Sequence, residues 1–217
     1  MKRKHFLSSF IPLAATFGAV ASGKTSFDGD SPVVKPPYLK AGDTVGICCP
    51  AGFITIEDIQ PALLKLKEWG FTARIGETIS KKDFTFGGTD DERLNDLQQM
   101  LDDKSIKAIL FARGGYGGVR IIDRLNFKKF DRDPKWIIGF SDATIFHSHI
   151  NKKYRVATIH SKMCNSFPSD WNTAEPVQKE TIESINKCLT GERMKYLFTP
   201  NEKNKTGIAV GELIGGN

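Results

Sequence analysis

The chain has 217 residues, 40% hydrophobic and 26% charged, a balance that excludes disordered, collagen-like and membrane-spanning classes and allows a real core. The formal charge is +6, but Lys2, Arg3 and Lys4 account for half of it and the remainder is scattered, so nucleic-acid binding is not indicated. The four cysteines, Cys48, Cys49, Cys164 and Cys188, are too few and too irregularly spaced for a disulfide framework.

Met1 to His5 is a basic run, Phe6 to Phe17 is mostly apolar, and Ala19-Val20-Ala21 suits a small-residue cleavage site. This pattern predicts a signal peptide over residues 1–21, and with it export to the periplasm or cell envelope with no membrane span left after removal. Residues 22–37 are rich in Ser, Gly, Asp and Pro and read as a linker. The folded domain is expected from about Tyr38 to residue 190.

Thr44 to Cys49 is an apolar run between Gly42-Asp43 and Pro50, hence a buried strand in which Cys48 and Cys49 face opposite ways as small buried side chains. Thr55 with Asp58 forms a capping box for a helix that buries Ile59, Leu63 and Leu66 and stops at Gly70. Phe71 to Ile75 is the next strand. A second capping box, Thr89 with Glu92, starts a helix with Leu94, Leu97 and Leu101 inward. Lys107 to Ala112 is a third strand, ending in the run Arg113 to Gly118, and Val119 to Leu125 is helix-compatible. Trp136 to Phe140 is a fourth, running straight into Ser141-Asp142 and a helix with Ile145, Phe146 and Ile150. Arg155 to Ile159 is a fifth strand, and Pro176 to Leu189, closed by Gly191, a further helix. Lys195 to Phe198 and Lys205 to Val210 have strand character. The stop at Gly215-Gly216-Asn217 reads as an interruption, so residues 191–217 are expected to be linker and the start of an incomplete second domain.

Strands alternating with amphipathic helices predict an α/β fold, a doubly wound, mostly parallel sheet of flavodoxin or Rossmann type covered on both faces. Such sheets gather functional groups at the carboxyl ends of their strands. Two special loops fall there. Gly139-Phe140-Ser141-Asp142 has the strand-turn-helix setting of a nucleophile elbow without its second glycine, with the Asp142 N–H placed to donate to an oxyanion. Read blandly, Ser141 is only a helix cap. The run from Arg113 through Gly114, Gly115, Tyr116 and Gly117 to Gly118 lacks the lysine of a phosphate loop and has the wrong glycine spacing for a dinucleotide fingerprint. No cofactor is expected. His147 and His149 sit on different helix faces, so no metal site is expected either.

Several blocks together resemble the LD-carboxypeptidase (muramoyltetrapeptide carboxypeptidase) family of serine peptidases. They are Leu39 to Val45 with Pro50-Ala51-Gly52, Asp91 to Gln98, Ala112 to Gly117, Pro134 to Asp142, His160, and Gly211 to Asn217, in family order. The resemblance implies that Ser141 is the nucleophile and that the Asp142 N–H and a backbone N–H of the Gly114-Gly115 loop form the oxyanion hole. Arg113, Tyr116 and His160 become candidates for substrate binding. It also implies a Ser-His-Glu triad whose His and Glu come from a C-terminal domain absent from these 217 residues, which would leave this chain inactive alone. The expected partner is a murein tetrapeptide losing its terminal D-Ala through an acyl-enzyme, with room for a homodimer in the full-length protein. Two alternatives stay open: a microcin-immunity-like peptidase acting on aminoacyl or peptidyl nucleotides, and a non-catalytic periplasmic α/β ligand-binding module.

Overall fold

Five short strands form one parallel sheet in the computed structural model, which describes residues 32–195, 200–208 and 210. The expected signal peptide, the first part of the expected linker and the block Gly211 to Asn217 lie outside the described residues. The strands are β1 (Thr44–Cys48), β2 (Thr72–Ile75), β3 (Ile106–Phe111), β4 (Trp136–Gly139) and β5 (Ile159–His160), in spatial order β2-β1-β3-β4-β5. This is the flavodoxin-like order, whose direction of winding reverses between β1 and β3 and leaves a crevice at their carboxyl ends.

Both faces of the sheet are covered, which is why the central strands read as continuous apolar runs rather than alternating ones. On one face, Val45, Ile47 and Cys49 pack with Ile59 and Leu66 of α1 (Ile56–Glu68) and with Ile182, Ile185 and Leu189 of α6 (Pro176–Thr190). On the other, Cys48, Ile109, Phe111 and Ile137 pack with Leu97, Met100 and Leu101 of α2 (Asp90–Asp102) and with Phe146 and Ile150 of α5 (Thr144–Tyr154). The two adjacent cysteines thus divide between the two faces, and all four cysteines are free thiols. Both capping boxes form, Thr55 with Asp58 and Thr89 with Glu92. Gly191 closes α6 in the left-handed conformation, φ 80°.

Three expectations need correction. The fifth strand is Ile159–His160 rather than Arg155 to Ile159. Arg155 is the left-handed cap of α5, and Val156 pairs with Val34 of the upstream segment, whose carbonyl accepts the Ala157 N–H at 2.9 Å. Residues 34–37, read as linker, therefore lie against the domain, and the Pro37 carbonyl also accepts the Trp136 indole N–H at 3.0 Å. Second, between the short helix α3 (Gly118–Ile121), with the 3-10 turn that follows it, and β4 lies one further helical turn, α4 (Lys128–Arg132), which the sequence does not announce, because five residues carry no periodicity; aromatic packing of Phe127, Phe130 and Tyr154 holds it. Third, Lys205 to Ile208 and Val210 form no strand. Ile208 is 96% and Val210 97% exposed, and among the described residues no strand pairs with this segment. The other expected strand, Lys195 to Phe198, lies outside the described residues apart from Lys195, which is coil.

At the amino end of the sheet, Lys135 is 2% exposed and its ammonium donates to the carbonyls of Met100 (3.0 Å) and Asp103 (2.6 Å). Burial pulls its pKa down from 10.5 to about 8, partly opposed by Asp133 and Asp103. A neutral amine keeps two N–H donors, enough for both carbonyls, so deprotonation removes the cost of the buried charge without breaking the bonds. Between these two pKa values the unfolded chain holds more protons than the folded one, and stability from this group rises with pH. Denaturant unfolding should show wild type gaining on Lys135→Met from about pH 8 to about pH 10.5. A constant difference across that window would contradict it.

Candidate functional site

β4 delivers the chain into a sharp turn. Phe140 is extended (φ −146°, ψ −177°), Ser141 has φ 60°, and residues Ser141–Ala143 make a 3-10 turn before α5 begins at Thr144. A non-glycine residue held at positive φ costs on the order of 1–3 kcal/mol and persists only where the surroundings impose it. Here they do. A Cβ on Gly139 would lie 2.8 Å from the Ala143 Cβ, so the turn closes only with glycine at 139 and a small residue at 143. Ser141 is exposed, and among the described residues its Oγ makes no hydrogen bond. The hydroxyl is therefore not a helix cap: Ser141 lies inside the turn, and its backbone conformation is not the extended one that capping requires.

The glycine loop after β3 lies against this turn. A Cβ on Gly114 would meet Ser141 Cβ at 3.3 Å and Oγ at 3.5 Å, which puts the Gly114 backbone beside the serine. Gly115 has φ 112°, and its neighbour is the backbone of Gly52, whose N–H donates to the Gly114 carbonyl at 3.0 Å. The loops after β1, β3 and β4 thus meet at the carboxyl rim, at the reversal of strand order. The Asp142 N–H is in the first turn of a helical segment, where amides have no intrahelical partner. Its carboxylate Oδ2 accepts the Gly118 N–H at 2.7 Å. Burial raises the Asp142 pKa above the usual carboxylate value, and the Gly118 N–H and Arg93 oppose that rise.

Arg93 of α2 is fully buried under the same loops. Its guanidinium donates to the carbonyls of Gly88 (3.2 Å), Pro50 (2.6 Å) and Gly117 (3.0 Å), is paired with Asp90, and lies 4.9 Å from the Phe86 ring centroid. Asp96, on the same side of α2, accepts the backbone N–H of Glu77 (3.1 Å) and Thr78 (2.9 Å) and the Thr78 hydroxyl (2.5 Å), and that hydroxyl accepts the Cys49 N–H at 2.8 Å. Neither residue stood among the expected site residues.

The remaining candidates lie at different depths on the glycine loop and at the end of β5. Arg113 is exposed, donates to the Phe53 carbonyl at 2.8 Å, and borders an open groove of about 410 Å³ shared with Glu57, Asp58 and Asn165. Tyr116 is 58% exposed, with its ring centroid 6.3 Å from Phe86. His160 ends β5 in an exposed position, 6.4 Å from the Phe140 ring and 6.1 Å from His147. His147 is buried, its Nε2 is 2.9 Å from the Gly139 carbonyl, and burial lowers its pKa. Burial pushes the Cys49 thiol up to about 12, so it is no thiolate nucleophile. A second cavity, about 220 Å³, lies by Lys40, Lys107 and Lys135 at the amino end of the sheet, away from the serine turn.

This is a doubly wound α/β protein whose special loops converge at one rim of the sheet. The chain belongs to the LD-carboxypeptidase family: the LD-carboxypeptidase N-terminal domain model matches residues 45–161. It is 33% identical over 84% of its length to a Bacillus subtilis protein named "Probable murein peptide carboxypeptidase", covering 57% of that protein. It is 28% identical over 79% of its length to the microcin C7 self-immunity protein MccF of Escherichia coli, covering 50% of that protein. Among solved structures it resembles an MccF-like protein from Bacillus anthracis, with TM-score 0.65 and 25% identity, over 72% of this chain and 47% of that one. The chain spans about half the length of the curated relatives it matches.

Proposed function

We propose that the chain carries the nucleophile half of an exported serine-type LD-carboxypeptidase that removes the terminal D-Ala from murein tetrapeptides. The observation that supports this best is Ser141 itself, exposed and at φ 60° beside the Gly114 backbone, at the rim where α/β sheets carry their sites. In this reading Ser141 Oγ attacks the carbonyl carbon of the scissile bond while a base takes its proton. The tetrahedral oxyanion is met by the Asp142 N–H and a Gly114 or Gly115 N–H. Collapse expels the D-Ala amine with a proton from the same base, and water then hydrolyses the acyl-enzyme. In this reading the base is a His held by a Glu, a role that none of His147, His149 and His160 is assigned. Arg113, Tyr116 and His160 border the space a peptide would occupy.

A second reading is favoured by the likeness to MccF: the same nucleophile acting on an aminoacyl or peptidyl nucleotide. The basic and apolar start of the chain supports export and so favours murein peptide. The two readings separate in one assay of the whole protein. Murein tetrapeptide should yield free D-Ala and tripeptide, with an aminoacyl sulfamoyl nucleotide left uncleaved. Cleavage of the nucleotide alone would reverse the assignment.

A further inference from the structure

We infer that Arg93 and Asp142 act as a pair of positioning residues that grip one peptide unit, Gly117–Gly118, from its two ends and thereby hold the glycine loop against Ser141. The Gly117 carbonyl accepts from Arg93 Nη1 at 3.0 Å, and the N–H of the same peptide, on Gly118, donates to Asp142 Oδ2 at 2.7 Å. The cation sits at the negative end of the peptide dipole and the anion at its positive end, so the two charges fix a single orientation of the peptide plane. Both charged groups fit only because the loop is glycine there. A Cβ on Gly117 would lie 2.7 Å from Arg93 Nη1, and one on Gly118 would lie 2.8 Å from Asp142 Oδ2.

The need for such a grip follows from the sequence of the loop. With glycine at 114, 115, 117 and 118 it has the greatest backbone freedom of any segment in the domain, and a loose loop cannot hold its amides toward a developing charge. Asp142 is covalently next to Ser141, so the carboxylate ties the serine turn directly to the loop. Arg93 ties the same peptide to Pro50 and Gly88, hence to the loops after β1 and before α2. The consequence for turnover rests on the serine-peptidase reading, whereas the grip itself does not.

The test uses the whole protein labelled with 15N-glycine, comparing wild type with Asp142→Ala and Asp142→Asn, all confirmed folded by thermal melting. The Gly118 amide should exchange with solvent on the order of tenfold faster in Asp142→Ala, the factor for losing a hydrogen bond to a charged acceptor. Asp142→Asn should restore most of that protection, because an amide oxygen can still accept the bond. On murein tetrapeptide, Asp142→Ala should lower kcat on the order of tenfold to a hundredfold with KM little changed, the pattern of an interaction expressed in the transition state. Asp142→Asn should recover most of the loss. Unchanged Gly118 exchange in Asp142→Ala would overturn the grip whatever the activity. Equal kcat losses in the two variants would overturn its role in positioning. Hydrolysis surviving in Ser141→Ala would instead overturn the serine-peptidase reading and leave the Gly118 measurement standing.

Discussion

Ser141→Ala in the whole protein is expected to lower kcat for D-Ala release by on the order of 10⁴ to 10⁶ while folding is retained. The size follows from the proposed role: in that reading no acyl-enzyme forms without Oγ, and only binding and oxyanion stabilisation remain. Stability should hardly change, since a capping serine would cost about 1 kcal/mol on replacement and this hydroxyl caps nothing. Ser141→Gly sharpens the distinction. Glycine adopts φ 60° without the penalty that serine bears, so this variant should be equally inactive yet more stable, by about 1 kcal/mol. A protein that gains stability by losing its activity shows that the strain is kept for function. Ser141→Ala protein releasing D-Ala at the wild-type rate would remove the nucleophile from this position.

The sheet was legible because its central strands β1, β3 and β4 are near-continuous apolar runs between turn residues, and the two capping boxes announce α1 and α2 in local sequence. The serine turn and the glycine loop were legible as special loops at strand ends, and the fold rule placed them on one rim. What the sequence did not show is how they are joined. Arg93 and Asp96 lie in the block Asp91 to Gln98 that resembles the family, yet no motif in the sequence singles them out. The available signal was their spacing: with Leu97 and Met100 they fall on the buried side of α2, where a charge needs partners. Apart from the Asp90 carboxylate and the Thr78 hydroxyl, those partners are backbone groups of Pro50, Glu77, Thr78, Gly88 and Gly117, and a carbonyl or an amide has no residue identity to read. The Asp142 side chain was missed for a related reason, since the motif directed attention to its N–H. The pairing of Val34 with Val156 could not be seen because two single residues carry no period.

Arg93→Met is expected to be the most costly single replacement around the site, lowering the unfolding free energy by about 3 kcal/mol or more. Methionine replaces the bulk of the side chain, so the loss is one of hydrogen bonds rather than of packing. Three carbonyls, those of Pro50, Gly88 and Gly117, lose their shared donor in a place closed to water. Asp90 is not stranded, because Arg120 Nε stays 2.9 Å from both of its carboxylate oxygens, and this keeps the cost from rising further. Arg124→Met provides the comparison on the neighbouring surface: its pair with Asp91 has side chains 48% and 74% exposed, and such a pair contributes less than about 1 kcal/mol. Urea titrations should therefore show a large fall in midpoint for Arg93→Met at unchanged slope and almost none for Arg124→Met. Equal midpoints for the two variants would mean that the buried guanidinium does not hold the three loops together. A fall for Arg93→Met alone places much of the domain's stability in the same contacts that set the glycine loop beside Ser141.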